Sequence, residues 1–155
     1  MSAEMTEDQK RSILNVLGKN EIMTVATIRP DGYPQATTVT YVNDGLTLYF
    51  GTSGHTQKAQ NILRCNKVSA TIDGDSRNWT RIQGISLGGL AEVVDRGDES
   101  VRVYGLMEEK FPQIHDFPLP DMGAAVLIRI TPQVISLIDY TKGFLYRELV
   151  AVPAP

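Results

Sequence analysis

Apolar residues recur along the chain with two different periods, and the switches between them mark out its elements. Over residues 6–17, Ile13, Leu14 and Leu17 fall on one helical face. Thr6 and Gln9 have the spacing of a capping box, in which each side chain takes up an N–H that the first helical turn leaves free. Gly18 and Asn20 supply the stop. Residues 21–29 set Ile22, Val25 and Ile28 among Thr and Ala, residues 35–42 are rich in Thr, Val and Tyr, and residues 46–50 read LTLYF. Such β-branched and aromatic runs predict three strands. Pro30-Asp31-Gly32 and Asn43-Asp44-Gly45 are tight-turn signals, so the three strands are expected to form an antiparallel meander. A helix over 56–64 follows, with Ala59, Ile62 and Leu63 facing inward.

The second half reads in the same way. Residues 67–73 are a strand, 74–78 a turn, and 79–94 a long strand in which Gly88-Gly89 predicts a bulge or sharp bend. Residues 98–111 are helical, with Asp98 as cap and Val101, Tyr104 and Met107 as the apolar side; Gly105 weakens the helix. Three prolines make 112–122 an ordered loop. Residues 124–130 are a strand, Thr131-Pro132 turns it, and 134–140 continue as strand; the tail from 141 to 155 is mixed. The pattern predicts a mainly β fold: one six-stranded antiparallel barrel with flanking helices in a single domain over 1–155, led by a helical segment at 1–20.

Composition narrows the function classes. A chain of 155 residues that is 42% hydrophobic and 21% charged can bury a core. Its net charge of −3, with basic residues scattered, argues against a nucleic-acid module. One cysteine, Cys65, excludes an internal disulfide framework and reads as a small apolar residue. The acidic start MSAEMTEDQKRS is unlike a signal peptide, and no apolar run approaches the ~20 residues of a membrane span. The expectation is a cytoplasmic protein that acts on a small molecule.

The richest chemistry lies between 46 and 66, where a strand meets a helix through a small polar turn. First-turn N–H groups have no intrahelical partner, so such a junction is a ready anion site. Thr52, Ser53 and Thr56 add hydroxyls and Lys58 a positive charge, which suits a phosphate. Neither G-x-x-x-x-G-K-[ST] nor G-x-G-x-x-G is present, so the turn is no nucleotide fingerprint.

Three stretches, MTVATIRPDGYPQATTVTYV (23–42), LYFGTSGHTQKAQNILRCNKVSATI (48–72) and LGGLAEVVD (87–95), together resemble the pyridoxamine-phosphate-oxidase-like flavin-binding split-barrel family. The resemblance implies a split barrel of the FMN-binding type, with FMN at the seam of a homodimer and an oxidoreductase of unknown substrate. It implies ring contacts from Thr37, Thr38, Val39 and Thr40 on the second strand, further contacts from Gly51 and Thr52, and a phosphate grip by Thr56, Gln57 and Lys58. It also implies that Gln83 reaches the partner's flavin. Ala36 stands where authentic oxidases carry an arginine, and Gln57-Lys58 stands for a basic pair. The C-terminal Arg-containing segment that holds pyridoxine phosphate is missing, so pyridoxamine phosphate is not the expected substrate. The tail DYTKGFLYRELVAV, 139–152, resembles the ending of small bacterial members and suggests a C-terminus packed over the dimer seam.

Other readings stay open beside this one. The same fold uses the deazaflavin F420 in some relatives, although basic charge is sparse here. A non-catalytic flavin carrier, or a haem-binding relative with His115 as axial ligand, is a second alternative. Lys58 could be a solvated lysine, but a cation in a first helical turn opposes the macrodipole unless an anion is present. Thr37, Thr38 and Thr40 could be plain strand formers, and Trp79 reads first as packing or interface. His55 and His115 read as exposed turn and loop residues, and no carboxylate pair has a trustworthy catalytic spacing.

Overall fold

In the computed structural model, which describes residues 4–117 and 123–154, the element order is α1 (Glu7–Lys19), β1 (Ile22–Ile28), β2 (Pro34–Thr40), β3 (Val42–Asp44), β4 (Thr47–Ser53), α2 (Gln57–Arg64), β5 (Lys67–Asp73), β6 (Gln83–Val94), α3 (Asp98–Lys110), β7 (Ala125–Asp139) and β8 (Arg147–Ala151). The strands form one antiparallel sheet in the order β2-β1-β5-β6-β7-β4-β3, with β8 also paired to β7. The two ends of that order, β2 and β3, are joined by Tyr41 alone. Strands at opposite edges of the sheet are thus one residue apart in the chain, and the sheet must curl until they meet. The result is the expected split barrel, built from eight strands rather than six.

The extra strands have local causes. The expected meander is two hairpins, β1–β2 and β3–β4, on opposite edges. Tyr41 separates them because its N–H bonds to the Glu21 carbonyl (3.2 Å) and its buried hydroxyl donates to the Leu17 carbonyl (2.7 Å). The tail adds β8 by pairing Arg147–Ala151 with Val134–Ile138. Thr131-Pro132 makes no turn: β7 runs through it for 15 residues. The register shifts between Gly88 and Gly89, which pair with Val134 and Pro132, leaving Gln133 as the extra residue. A Cβ on Gly89 would lie 2.6 Å from the Thr131 carbonyl oxygen, so the close approach at the bulge requires glycine.

Helices plug and flank the barrel. The capping box of Thr6 and Gln9 is present, and α1 buries Ile13, Val16 and Leu17 against inward residues such as Met23, Phe50 and Ile72. The strand expected from 79 begins at Gln83, because Trp79–Arg81 form a 3-10 turn capped by the Asn78 side chain. In α3 the cap is Gly97 rather than Asp98, and the inward residues are Val103, Leu106 and Met107. Val101 and Tyr104 face out instead. Ion pairs set this rotation: Arg129 on β7 bonds Glu99 (2.8 Å) and Glu92 (2.7 Å), the Tyr49 hydroxyl donates to Glu99 (3.2 Å), and Arg102 pairs with Asp44. Pro112–Asp116 form a 3-10 turn, and the remainder of the predicted proline loop, 118–122, lies outside the described residues. Among the described residues no helix is long and apolar enough to cross a membrane.

Among the described residues, no helix covers one side of the barrel. On its outer face Thr38, Thr24, Thr71, Ser86, Ser136 and Leu149 stand side by side in register across six strands. The next row, Ala36, Ala26, Ser69, Gly88, Val134 and Ala151, is in register too. All twelve are uncharged and exposed or half-exposed. Sheet faces that meet water usually carry charge, especially near edges.

Candidate functional site

At the end of β4 the chain makes the polar turn singled out in the sequence. The Gly54 N–H bonds to the Ala124 carbonyl (2.7 Å), which ties the turn to β7. The Ser53 carbonyl accepts both the Thr56 N–H (3.1 Å) and the Thr56 hydroxyl (2.8 Å). The Thr56 oxygen then accepts the Ala59 N–H (3.3 Å), which makes it the N-cap of α2. Its hydroxyl proton is therefore committed to the turn. Among the described residues nothing bonds to two first-turn donors, the N–H groups of Gln57 and Lys58.

The electrostatics around these donors suit an anion. The first turns of α1 and α3 carry acids, Glu7 and Asp8 in one and Asp98 and Glu99 in the other, whereas that of α2 has none. Lys58 is half-buried there, with no carboxylate within ion-pair distance among the described residues. Gly51 and Thr52 sit just before the turn, paired with Leu127 and Val126. A Cβ on Gly51 would meet nothing within 4 Å, so its surroundings are open. The Thr52 hydroxyl lies 3.3 Å from that of Thr56.

A buried amide network, absent from the sequence reading, fixes the helix in place. Asn61 is fully buried; its Nδ2 donates to Thr27 Oγ1 (3.0 Å) and Gln35 Oε1 (3.1 Å), and its Oδ1 accepts the Gln57 amide (2.8 Å). Arg64 reaches the Ile28 carbonyl (2.8 Å) at the other end of α2. The helix buries Ala59, Asn61 and Ile62 and exposes Leu63, which its pattern set inward; the signal for the network is Asn61 one turn after Gln57, the spacing at which side chains meet.

The four candidate residues of β2 divide into two pairs. Arg29 bonds to the Tyr33 carbonyl and Tyr41 to the Glu21 carbonyl, so odd-numbered residues of β2 are the hydrogen-bonded partners of β1. Thr37 and Val39 spend their backbone groups in that ladder and point side chains inward. Ala36, Thr38 and Thr40 direct N–H and C=O to the free edge, where no strand pairs among the described residues. The Thr37 hydroxyl is buried and has no partner among the described residues. The β2 edge thus offers alternating donors and acceptors, and the α2 turn offers a cation with two N–H donors. That donor set fits a ligand with a polar heterocycle and a phosphate.

The remaining candidates lie apart. Gln83 starts β6 near the end of the barrel away from the β1–β2 turn; its amide accepts from Lys19 and donates to the buried Asp139 (3.3 Å). His55 stands exposed in the turn, beside an open groove of about 440 Å³ lined in part by Gly54, Gln60 and Val126. His115 is exposed, with Nε2 3.5 Å from Glu108.

Comparisons with known proteins agree with the fold. Residues 8–139 match the family described as Pyridoxamine 5'-phosphate oxidase. General stress protein 26 of Bacillus subtilis (strain 168) is 25% identical over 133 residues, 86% of this chain and 90% of that protein. The crystal structure of the conserved hypothetical protein Rv2991 from Mycobacterium tuberculosis superposes with a TM-score of 0.74 at 28% identity, over 97% of this chain and 93% of that one. HutZ, the heme storage protein from Vibrio cholerae, shares the fold at a TM-score of 0.67 and 21% identity, over 79% of this chain and 88% of its own.

Proposed function

The chain belongs to the pyridoxamine 5'-phosphate oxidase family, and from that premise we propose that it binds FMN and acts as a flavin-dependent oxidoreductase. One observation carries the reading: the half-buried Lys58 ammonium has no carboxylate partner among the described residues and stands on an acid-free first turn. There the open N–H groups of Gln57 and Lys58 hold the phosphate, with Thr52 beside them. The free edge of β2 meets the ring through backbone groups of Thr38 and Thr40. Thr37 and Val39 line the inner side, where the Thr37 hydroxyl awaits an acceptor. Gly51 leaves room for the close approach. When bound, the flavin supplies hydride or electron transfer, and the protein's part is to orient its partner molecule.

The phosphate grip is a reduced one. Ala36 offers no charge on β2, and the Gln57 amide is turned back to Asn61. Binding therefore leans on Lys58 and the helix N-terminus.

The protein works as a homodimer through the uncharged outer wall. Its two rows, six strands wide at ~4.8 Å spacing and about 7 Å apart along the strands, offer on the order of 400 Å² per copy, so the residues around them complete the interface. The deazaflavin F420 is the second ligand to test, since its phosphate would use the same notch. Haem is less favoured, because both histidines are exposed on turns and His115 is already near Glu108.

The decisive experiment is an absorbance spectrum of the purified protein, reconstituted with FMN if colourless, with mass identification of what denaturation releases. A bound flavin spectrum and FMN mass are expected. A Soret band, a deazaflavin spectrum, or failure to take up FMN would overturn the reading.

A further inference from the structure

Lys110 ends α3, and its side chain lies half-buried where α3 meets α1 and the Tyr41 link. Its Nζ stands 3.9 Å from the centre of the Tyr41 ring and 5.7 Å from that of Phe111. It also donates to the Leu17 carbonyl (3.5 Å), the same oxygen that accepts the Tyr41 hydroxyl. Among the described residues no carboxylate lies within ion-pair distance of it. The charged groups around it are Glu21, just before β1, and Glu109, its neighbour on α3; Asp44 on β3 is taken by Arg102. A groove of about 240 Å³ opens beside it, lined by Val42, Asn43, Leu106 and Glu109 as well as Lys110 itself.

These surroundings act on the amine in opposite directions. Loss of water disfavours the ammonium, whereas the Glu21 carboxylate and the ring faces favour it. Loss of water is the larger effect and holds Lys110 below its ordinary value of 10.5. More of this side chain is therefore free amine at neutral pH than of a lysine in open water, and the free amine is the nucleophile. The groove supplies the second requirement, room for an electrophile to reach the nitrogen. An exposed lysine has the room without the shifted balance, and a sealed one has the balance without the room.

We propose that Lys110 is a covalent modification site that takes an acyl group from a small acyl phosphate. The amine lone pair attacks the acyl carbon and an N–C bond forms. The bond from that carbon to the phosphate oxygen breaks, and phosphate leaves with the electron pair. The surplus proton on nitrogen passes to water, and nothing is oxidised or reduced. The amide product keeps one N–H for the Leu17 carbonyl, while its acyl carbons settle in the groove against Val42 and Leu106. Acylation thus removes a half-buried charge and leaves its main-chain contact in place. This chemistry is independent of any flavin.

The test treats the full chain with acetyl phosphate near pH 8 and follows each lysine by peptide mass spectrometry. In the native protein Lys110 is expected to be acetylated about five-fold faster than the exposed Lys10 and Lys67. In concentrated urea that advantage is expected to vanish, because it belongs to the folded groove. Glu21→Gln removes the carboxylate that favours the ammonium, and it is expected to raise the Lys110 rate about two-fold with Lys10 and Lys67 unchanged. Equal or slower reaction at Lys110 in the native protein would overturn the proposal. So would an advantage that survives in urea, or a Lys110 rate that falls in Glu21→Gln.

Discussion

The Tyr41 hydroxyl donates to the Leu17 main-chain carbonyl over 2.7 Å and so ties the one-residue link between β2 and β3 to the end of α1. Burial pushes this phenol well above its ordinary value of 10.0. The folded state therefore keeps the proton that an unfolded chain gives up. Tyr41's contribution is fully present below pH 10.0 and falls as pH rises above it, by about 1.4 kcal/mol per unit. Urea unfolding between pH 9 and 11 checks this. Tyr41→Phe is expected to flatten the decline, leaving the parts due to Tyr49, whose phenol is raised by burial and by Glu99, and to Tyr146, raised by its hydrogen bond to Glu148.

Lys58→Ala is expected to weaken FMN by about ten- to a hundred-fold, as loss of a charged hydrogen-bond donor implies. Riboflavin, which has no phosphate, is expected to change little. Isothermal titration with both ligands decides it, and equal losses would remove the phosphate from Lys58.

Asn61→Leu strips the Gln57, Thr27 and Gln35 side chains of their shared partner. A cost of about 1–3 kcal/mol in unfolding free energy is expected. Because the network sets the first turn of α2, FMN affinity is expected to fall more than riboflavin affinity in the protein that remains folded.

Gly89→Ala and Gly88→Ala form a matched pair. The new Cβ at 89 would collide with the Thr131 carbonyl oxygen, whereas that at 88 would meet the Val134 side chain at 3.4 Å. The first is expected to lower stability by about 1–3 kcal/mol and the second by less. Thermal melts of the two variants separate them.

Leu145→Gly relieves the left-handed strain at an exposed position. In the unassociated chain the fold is expected to gain up to about 1 kcal/mol in urea unfolding, after the flexibility of glycine is allowed for.

Local signals proved readable wherever the cause lies within a few residues. Thr6 and Gln9 cap α1 and the glycine pair bulges β6, as their spacing predicts. The misreadings share another cause. Val101 and Tyr104 have the right period for an inward face, yet Arg129 and Asp44, distant in sequence, turn α3 the other way. Pro132 looks like a turn until the bulge opposite Gly89 gives it a place inside β7.

By itself, the sequence determined the kinds of element, the cap of α1, and the charge of the α2 turn, because propensity, capping and hydroxyl content act over three or four residues. Only the tertiary structure decided that Tyr41 closes the barrel, that Thr38 and Thr40 rather than Thr37 and Val39 show free backbone to the edge, and that twelve neutral residues make one wall. Those are matters of register, and register is set by pairings between segments that the chain brings together only when it folds.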